Sequence, residues 1–446
     1  MLLDRKAAQR VIDQTLSEAK ALKGAEAEVT LAVTRAANTR FARSEITSTG
    51  DSDDTTLDVH VAYGKRHATV TVNQLDPSSV KQAVGRAAAL ARIAPEDPER
   101  MPALPPQAEP ASAPRWDNAT AALDAGARAR AAGQAIAAGR ERGVEVAGFF
   151  SHQASMTLLG NSAGLRTALQ ATEAGLSMTA RTADGTGSGW AGLQSIKARE
   201  LDAAALAHAA VEKSVRSQKP HRLEAGKYQV VLEPAAVADL LAFLTGALGA
   251  RQADEGRSFF ARPGGGSKIG EKIFGESVTL TSSPADPLAP ADPHDDEGMP
   301  VAATTWIENG VLANLHYTRY WAAKQGKTAM GRPSRYHLHG GKSASIDELV
   351  KGIGRGVLVT RFWYIRSLDP QTLLCTGLTR DGVLLVEKGE IVGPVNNFRF
   401  NESPVKMLAN VEAMTKATWR TPADVMLRVP AIRTAEFNLA STSEAV

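Results

Sequence analysis

Two runs of alternating side chains, 144–159 and 165–180, lie on either side of Asn161-Ser162-Ala163-Gly164, which has the composition of a turn. They read as long strands joined by a short connection, and strands joined that way pair antiparallel. Residues 190–195 extend the same sheet. Period-two alternation recurs at 25–33 and continues in the same style at 41–48. Residues 57–63 and 68–72 flank Gly64-Lys65-Arg66 and read as a hairpin. Helical patterns punctuate these strands. One starts near Asp4 and runs to about residue 22. A second opens on Asp76-Pro77, a cap followed by proline at the first helical position, and runs to about 93. An alanine-rich helix is expected over 121–142, and another over 202–217 with Asp202 as its cap. Helices and antiparallel strands that cluster rather than alternate strictly define an α+β chain.

Residues 94–114 contain seven prolines and read as an extended, exposed connector, either a domain boundary or an arm lying on a partner. The expected division is an N-terminal α+β domain over 1–94, a connector over 95–114, a middle α+β region over 115–222 and a β-rich C-terminal domain over 223–446. In the last part, Asn309-Gly310 marks a hairpin within 306–312, and Lys388-Gly389 marks another within 384–392. Terminal strands are expected at 425–427 and 435–439. No fixed-period repeat of the solenoid kind is present.

Composition narrows the function. Lys and Arg number 51 against 48 Asp and Glu, a formal net charge of +3, too small to argue for nucleic-acid binding. Cys375 is the single cysteine, which excludes an internal disulfide and any thiolate cluster built by this chain. The first residues carry early charges and lack the apolar core of a signal peptide. No apolar run approaches the length of a membrane span. A cytoplasmic location is expected.

Residues 233–251 follow the strand-like run 228–232 and read as a buried helix, with Ala236, Leu240, Leu241, Leu244 and Leu248 on one apolar face. Together with other segments, this stretch resembles the TldD/PmbA family, once called modulators of DNA gyrase. The resemblance covers roughly residues 26–440. It rests on 39–47 (TRFARSEIT), 73–76 (NQLD), 87–97 (AAALARIAPED), Asp295-Asp296-Glu297-Gly298 eight residues before the strand 306–312, and the late run from Thr376-Gly377 to Ile391. In the peptidase branch of that family, the helix carries the zinc motif His-Glu-x-x-x-His. Here the matching positions are Ala242, Phe243 and Ala247, with the motif's glycine retained as Gly246. Alanine and phenylalanine offer no lone pair to a metal and no carboxylate to activate water. The branch's third ligand, a cysteine near the C-terminus, has no counterpart, since no cysteine follows Cys375.

The resemblance therefore implies the TldE/PmbA type. Its fold is two-lobed, an N-terminal α+β lobe with an antiparallel sheet and a β-rich C-terminal lobe, and two chains enclose a central cavity. It implies no zinc, no cofactor and no catalytic residue in this chain. Zinc is expected in a TldD-type partner, and the pair is expected to cleave unfolded peptides bound extended along a strand edge. A homodimeric peptide-binding protein and, further off, a self-sufficient metallohydrolase are the alternatives. No nucleic-acid or membrane partner is expected.

Candidate site residues follow from position. Arg251, Asp254, Glu255 and Arg257 come directly after the ligand-less helix, so Arg251, Asp254 and Arg257 are candidates to line a cavity or touch peptide; otherwise they form a solvated turn. Asp295, Asp296 and Glu297 are candidates too, although four consecutive residues from His294 cannot easily converge on one ion. The more economical reading is a polar turn whose carboxylates cap backbone amides. His337 and His339, two residues apart on a strand, share a face but lack a third ligand nearby. The glycine loop 263–267 lacks the spacing of a phosphate-binding loop. Cys375 in its apolar run reads as a buried, inert thiol.

Overall fold

A computed structural model describes residues 4–422 and 426–444. The N-terminal half contains α1 (Arg5–Lys20), β1 (Glu26–Ala42), β2 (Glu45–Tyr63), β3 (Arg66–Val72) and α2 (Pro77–Ile93). After the connector come α3 (Asn118–Ala121), α4 (Ala125–Glu141), β4 (Val144–Asn161), β5 (Arg166–Thr182), β6 (Ser188–Ser195) and α5 (Ala203–Arg216). These two stretches, expected as separate domains, build one antiparallel sheet in the order β3-β2-β1-β4-β5-β6. Each half runs helix, three strands, helix (α3 aside), and the halves meet where β1 pairs with β4, with Ala37 opposite His152.

Alternation decides which face is covered. Val29, Leu31, Val33 and Phe41 of β1 point to the same side as Val146, Phe150, Met156 and Leu158 of β4, and all are buried. They pack under α1 and α2 in one cluster and under α4 and α5 in another. The helix starts expected from sequence are present: Asp76 accepts from the backbone N–H of Ser78 and Ser79, and Asp202 accepts from that of Ala205. The opposite face of the sheet carries small and polar side chains, among them Asn38, Ser151, Gln153, Ser155, Glu173 and Ser177, and among the described residues no helix packs on it.

The C-terminal half contains β7 (Gly226–Leu232), α6 (Pro234–Gly246), α7 (Ala250–Asp254), β8 (Leu280–Ser282), β9 (Thr304–Glu308), β10 (Val311–Leu312), α8 (Arg319–Gln325), β11 (Tyr336–Leu338) and α9 (Ile346–Lys351). It continues with β12 (Arg355–Asp369), β13 (Leu374–Glu387), β14 (Glu390–Pro394), β15 (Asn397–Glu402), α10 (Pro404–Ala409), β16 (Val411–Met414), β17 (Trp419–Thr421), β18 (Leu427–Val429) and β19 (Ile432–Ser443). The strand expected at 425–427 begins at Leu427; Val425 lies outside the described residues. One sheet runs β10-β9-β8-β11-β18-β17. The other runs β12-β7-β19-β15-β13-β14 and closes on itself, because β12 also pairs with β13. Asn309-Gly310 and Lys388-Gly389 all have positive φ, as two-residue hairpin turns require. The expected single helix over 233–251 breaks after Gly246 and resumes as α7. α6 is buried between the two sheets in the largest core of the molecule, with Val237, Leu240, Leu241 and Leu244 fully enclosed. Among the described residues, no helix is long and apolar enough to cross a membrane.

The proline-rich segment is a strap. Leu104 packs with Leu159, Leu165 and Met299 on the uncovered face of the first sheet. The N–H of Ala113 donates to the Pro284 carbonyl at 2.8 Å, and the N–H of Ala103 donates to Glu26 at 2.8 Å. The connector thus touches both lobes.

Candidate functional site

α6 determines what stands at its exposed end. Ala242, Thr245 and Gly246 line a cavity of about 370 Å³ with Asp292, His294, Asp295, Asp296, Arg332, Ser334 and Tyr336. Phe243 turns toward the apolar core and Ala247 is buried. The three positions that match a zinc motif are thus two alanines and a half-buried phenylalanine packed against the core, and of the three only Ala242 is on the cavity wall. Among the described residues, no three His, Cys, Asp or Glu side chains converge closely enough to hold a metal ion. The donor set does not fit zinc.

The acidic turn at this cavity divides its labour. Asp295 Oδ1 accepts from the N–H of Glu297 (3.0 Å) and Met299 (2.9 Å), while Oδ2 accepts from the N–H of Arg332 (3.1 Å). It ties its own loop to the segment leading into β11, the capping geometry expected from sequence. Burial still raises its pKa, against these hydrogen bonds. Asp296 lies on the cavity wall. Glu297 points away from both, pairs with Arg319 at 3.3 Å, and has its pKa raised by burial. His294 lies 3.5 Å from Glu109 of the strap, and burial lowers its pKa.

The residues after α6 scatter. Arg251 and Glu297 line a second cavity of about 410 Å³ between the lobes, with Glu26, Glu28, Arg100 and Arg319. Asp254 accepts from the indole N–H of Trp321 at 2.7 Å, and Arg257 pairs with Glu255. Neither Asp254 nor Arg257 lines the α6 cavity. His337 and His339 do stack, with ring centroids 4.1 Å apart, but His337 faces Asp286 at 3.7 Å and His339 meets the Thr281 hydroxyl at 3.0 Å. Burial, with Arg428 nearby, pushes the His337 pKa down to about 4. Cys375 is buried, and burial pushes its thiol up to about 11, where it is not a nucleophile. The glycine loop has three consecutive glycines at positive φ and no Cβ-filling neighbour at any of them.

Sequence reasoning missed how far the cavity extends. The α6 cavity shares Asp292 and Ser334 with a polar cavity of about 330 Å³, which in turn shares Gln153 and Glu173 with one of about 500 Å³ on the uncovered face of the first sheet. Together they form a groove from the end of α6 across β4 and β5. Arg115 and Arg335 line its middle and are 8% and 4% exposed. Nothing in the sequence around either arginine marks it, because the two are brought together only by docking of the lobes.

Comparison with known proteins fits this architecture. The PmbA/TldA metallopeptidase domain 1 matches residues 27–91, the central domain of that family matches 109–218, and its C-terminal domain matches 225–441. A protein of Methanothermobacter thermautotrophicus named as a metalloprotease is 30% identical over 282 residues, 57% of this chain and 58% of its own length. An uncharacterized protein of Methanocaldococcus jannaschii is 37% identical over 111 residues, 24% of this chain and 26% of its own. The chain therefore spans 58% and 26% of the length of these curated relatives. The fold matches a crystal structure of TldE from Thermococcus kodakarensis at TM-score 0.87 and 19% identity, covering 97% of this chain and 100% of that one. It also matches a proposed modulator of a DNA gyrase from Thermotoga maritima at TM-score 0.85 and 18% identity, covering 97% and 99%. These matches run through both lobes, and the chain belongs to the PmbA/TldD family of metallopeptidase-related proteins.

Proposed function

We propose that this chain is the non-catalytic, TldE-like subunit of a cytoplasmic metallopeptidase complex that degrades or processes unfolded peptides, with a TldD-type zinc subunit as its partner. The observation that carries the reading is the exposed end of α6. There the family frame is intact, yet the cavity wall is Ala242, Thr245 and Gly246, with Phe243 and Ala247 given over to packing. The positions matched to the zinc motif offer neither a metal donor nor a general base, and among the described residues no three donor side chains converge to hold an ion that would polarise a peptide carbonyl or generate hydroxide. What the site retains is a long polar groove floored by β4 and β5, suited to an extended chain held mostly through its backbone. In this reading the subunit closes the complex and positions substrate for the partner's zinc.

Reconstitution tests it. The purified chain alone should not cleave an unstructured peptide, and mixing it with a TldD-type subunit should raise that subunit's cleavage rate, with zinc accounted for by the partner. Peptidase activity of the isolated chain, or a mixture no faster than the zinc subunit alone, overturns the assignment.

A further inference from the structure

Arg115 and Arg335 come from opposite lobes and meet in the middle of the groove. Arg115 ends the strap, where its carbonyl accepts from the N–H of Thr172 at 2.8 Å; Arg335 immediately precedes β11. Both are more than nine-tenths buried. Arg115 pairs with Asp292 and Arg335 with Glu173 at 2.6 Å, and Glu173 also lies near enough to Arg115 to act on it. The Arg115 guanidinium is not saturated. The Nε–H of Arg115 has no acceptor among the described residues. One Nη of Arg335 is spent on the Met426 sulfur at 3.3 Å, a weak acceptor. Burial, with Arg335 close by, pushes the Arg115 pKa down to about 9. The surrounding wall is Ser155, Thr157, Ser334 and Gln153, all able to donate to an anion.

We propose that this cavity is a carboxylate subsite, which takes the C-terminal carboxylate or an acidic side chain of an extended peptide lying in the groove. The proposal rests on the peptide-binding reading above and adds a chemical preference to it. A carboxylate supplies the acceptor that Arg115 Nε–H lacks and a stronger one than the Met426 sulfur for Arg335, and desolvated arginine forks recognise carboxylates by paired, charge-assisted hydrogen bonds. The same groove without such an anchor would bind peptides by backbone alone and ignore their charge.

The test uses the full chain and three fluorescent peptides of one unstructured sequence: a free acid without acidic side chains, its C-terminal amide, and the amide with one glutamate. The free acid should bind about tenfold more tightly than the plain amide. The glutamate peptide shows whether a side chain serves as well as the terminus. Arg115→Gln, and Arg335→Gln combined with Glu173→Gln so that no lone charge is buried, should each bring the acid-to-amide ratio close to one; circular dichroism verifies folding. If all three peptides bind equally, the subsite falls and the peptide reading survives. If none binds, both fall. An undiminished ratio in both folded variants places the preference elsewhere and also overturns the proposal.

Discussion

Arg251 donates through both terminal nitrogens to the two carboxylate oxygens of Glu99, each at 2.7 Å, and so fastens α7 of the C-terminal lobe to the strap. The same guanidinium lies 5.2 Å over the Trp321 ring. Both partners of the pair are 39% exposed, so solvent screens it and it adds little to global stability. Its effect is local. Arg251→Gln should leave the melting temperature nearly unchanged while speeding limited proteolysis within 94–114. Equal cleavage rates in variant and parent would show that the clamp does not hold the strap.

Glu28 is a carboxyl whose burial between the lobes pushes its pKa up to about 7, only partly offset by Arg319 and Arg100. A carboxyl with a folded pKa above its ordinary 4.5 favours the folded state while protonated. Folding stability is therefore lost as pH rises from about 4.5 to about 7, by up to about 3 kcal/mol from this group. Glu28→Gln should match the parent near pH 4 and be the more stable protein at pH 8. Chemical denaturation across that range measures the difference, and a constant offset at every pH would contradict the account.

What the sequence made legible follows from burial. β4, β5 and the helix caps announced themselves because one face of each is packed, which writes a period into the side chains. β2 was only half visible: residues 45–56 are largely exposed and read Asp-Ser-Asp-Asp-Thr-Thr at their end, although they pair with β1 throughout. That stretch borders solvent beyond the end of β3, where charge discourages edge-to-edge association. The ligand-less helix was legible because its chemistry depends on residue identity alone. The groove was not, because Arg115 and Arg335 are far apart in the chain and acquire meaning only from the docking of two lobes.

The closed C-terminal sheet has an aromatic centre. Phe362, Phe400 and Phe437 are at most 1% exposed, with ring centroids 4.5 to 5.7 Å apart. Phe400→Ala should cost about 3–5 kcal/mol. Gly377 lies against the same ring, and a Cβ there would come within 2.7 Å of it. Gly377→Ala should therefore cost about 1–3 kcal/mol by overpacking. Urea titration of both variants measures these losses, and a neutral Gly377→Ala would mean that the ring shifts freely.

The two alanines at the positions matched to the zinc-motif histidines differ in their surroundings, and the difference can be read as stability. Ala242 is half-buried on the cavity wall, where an imidazole would extend into open groove. Ala247 is 7% exposed and belongs to the main core, so a histidine there must displace packed side chains or bury an unpaired polar ring. Ala242→His should change stability by less than about 0.5 kcal/mol, as at an exposed position, whereas Ala247→His should cost about 1–3 kcal/mol. The double variant should bind no zinc tightly, because only one of its imidazoles reaches the cavity, where among the described residues no donor cluster stands ready to complete a three-ligand site. Denaturant midpoints together with zinc titration by calorimetry decide the matter. If both single variants proved neutral and the pair took up stoichiometric zinc, α6 would have to present both positions to the same cavity.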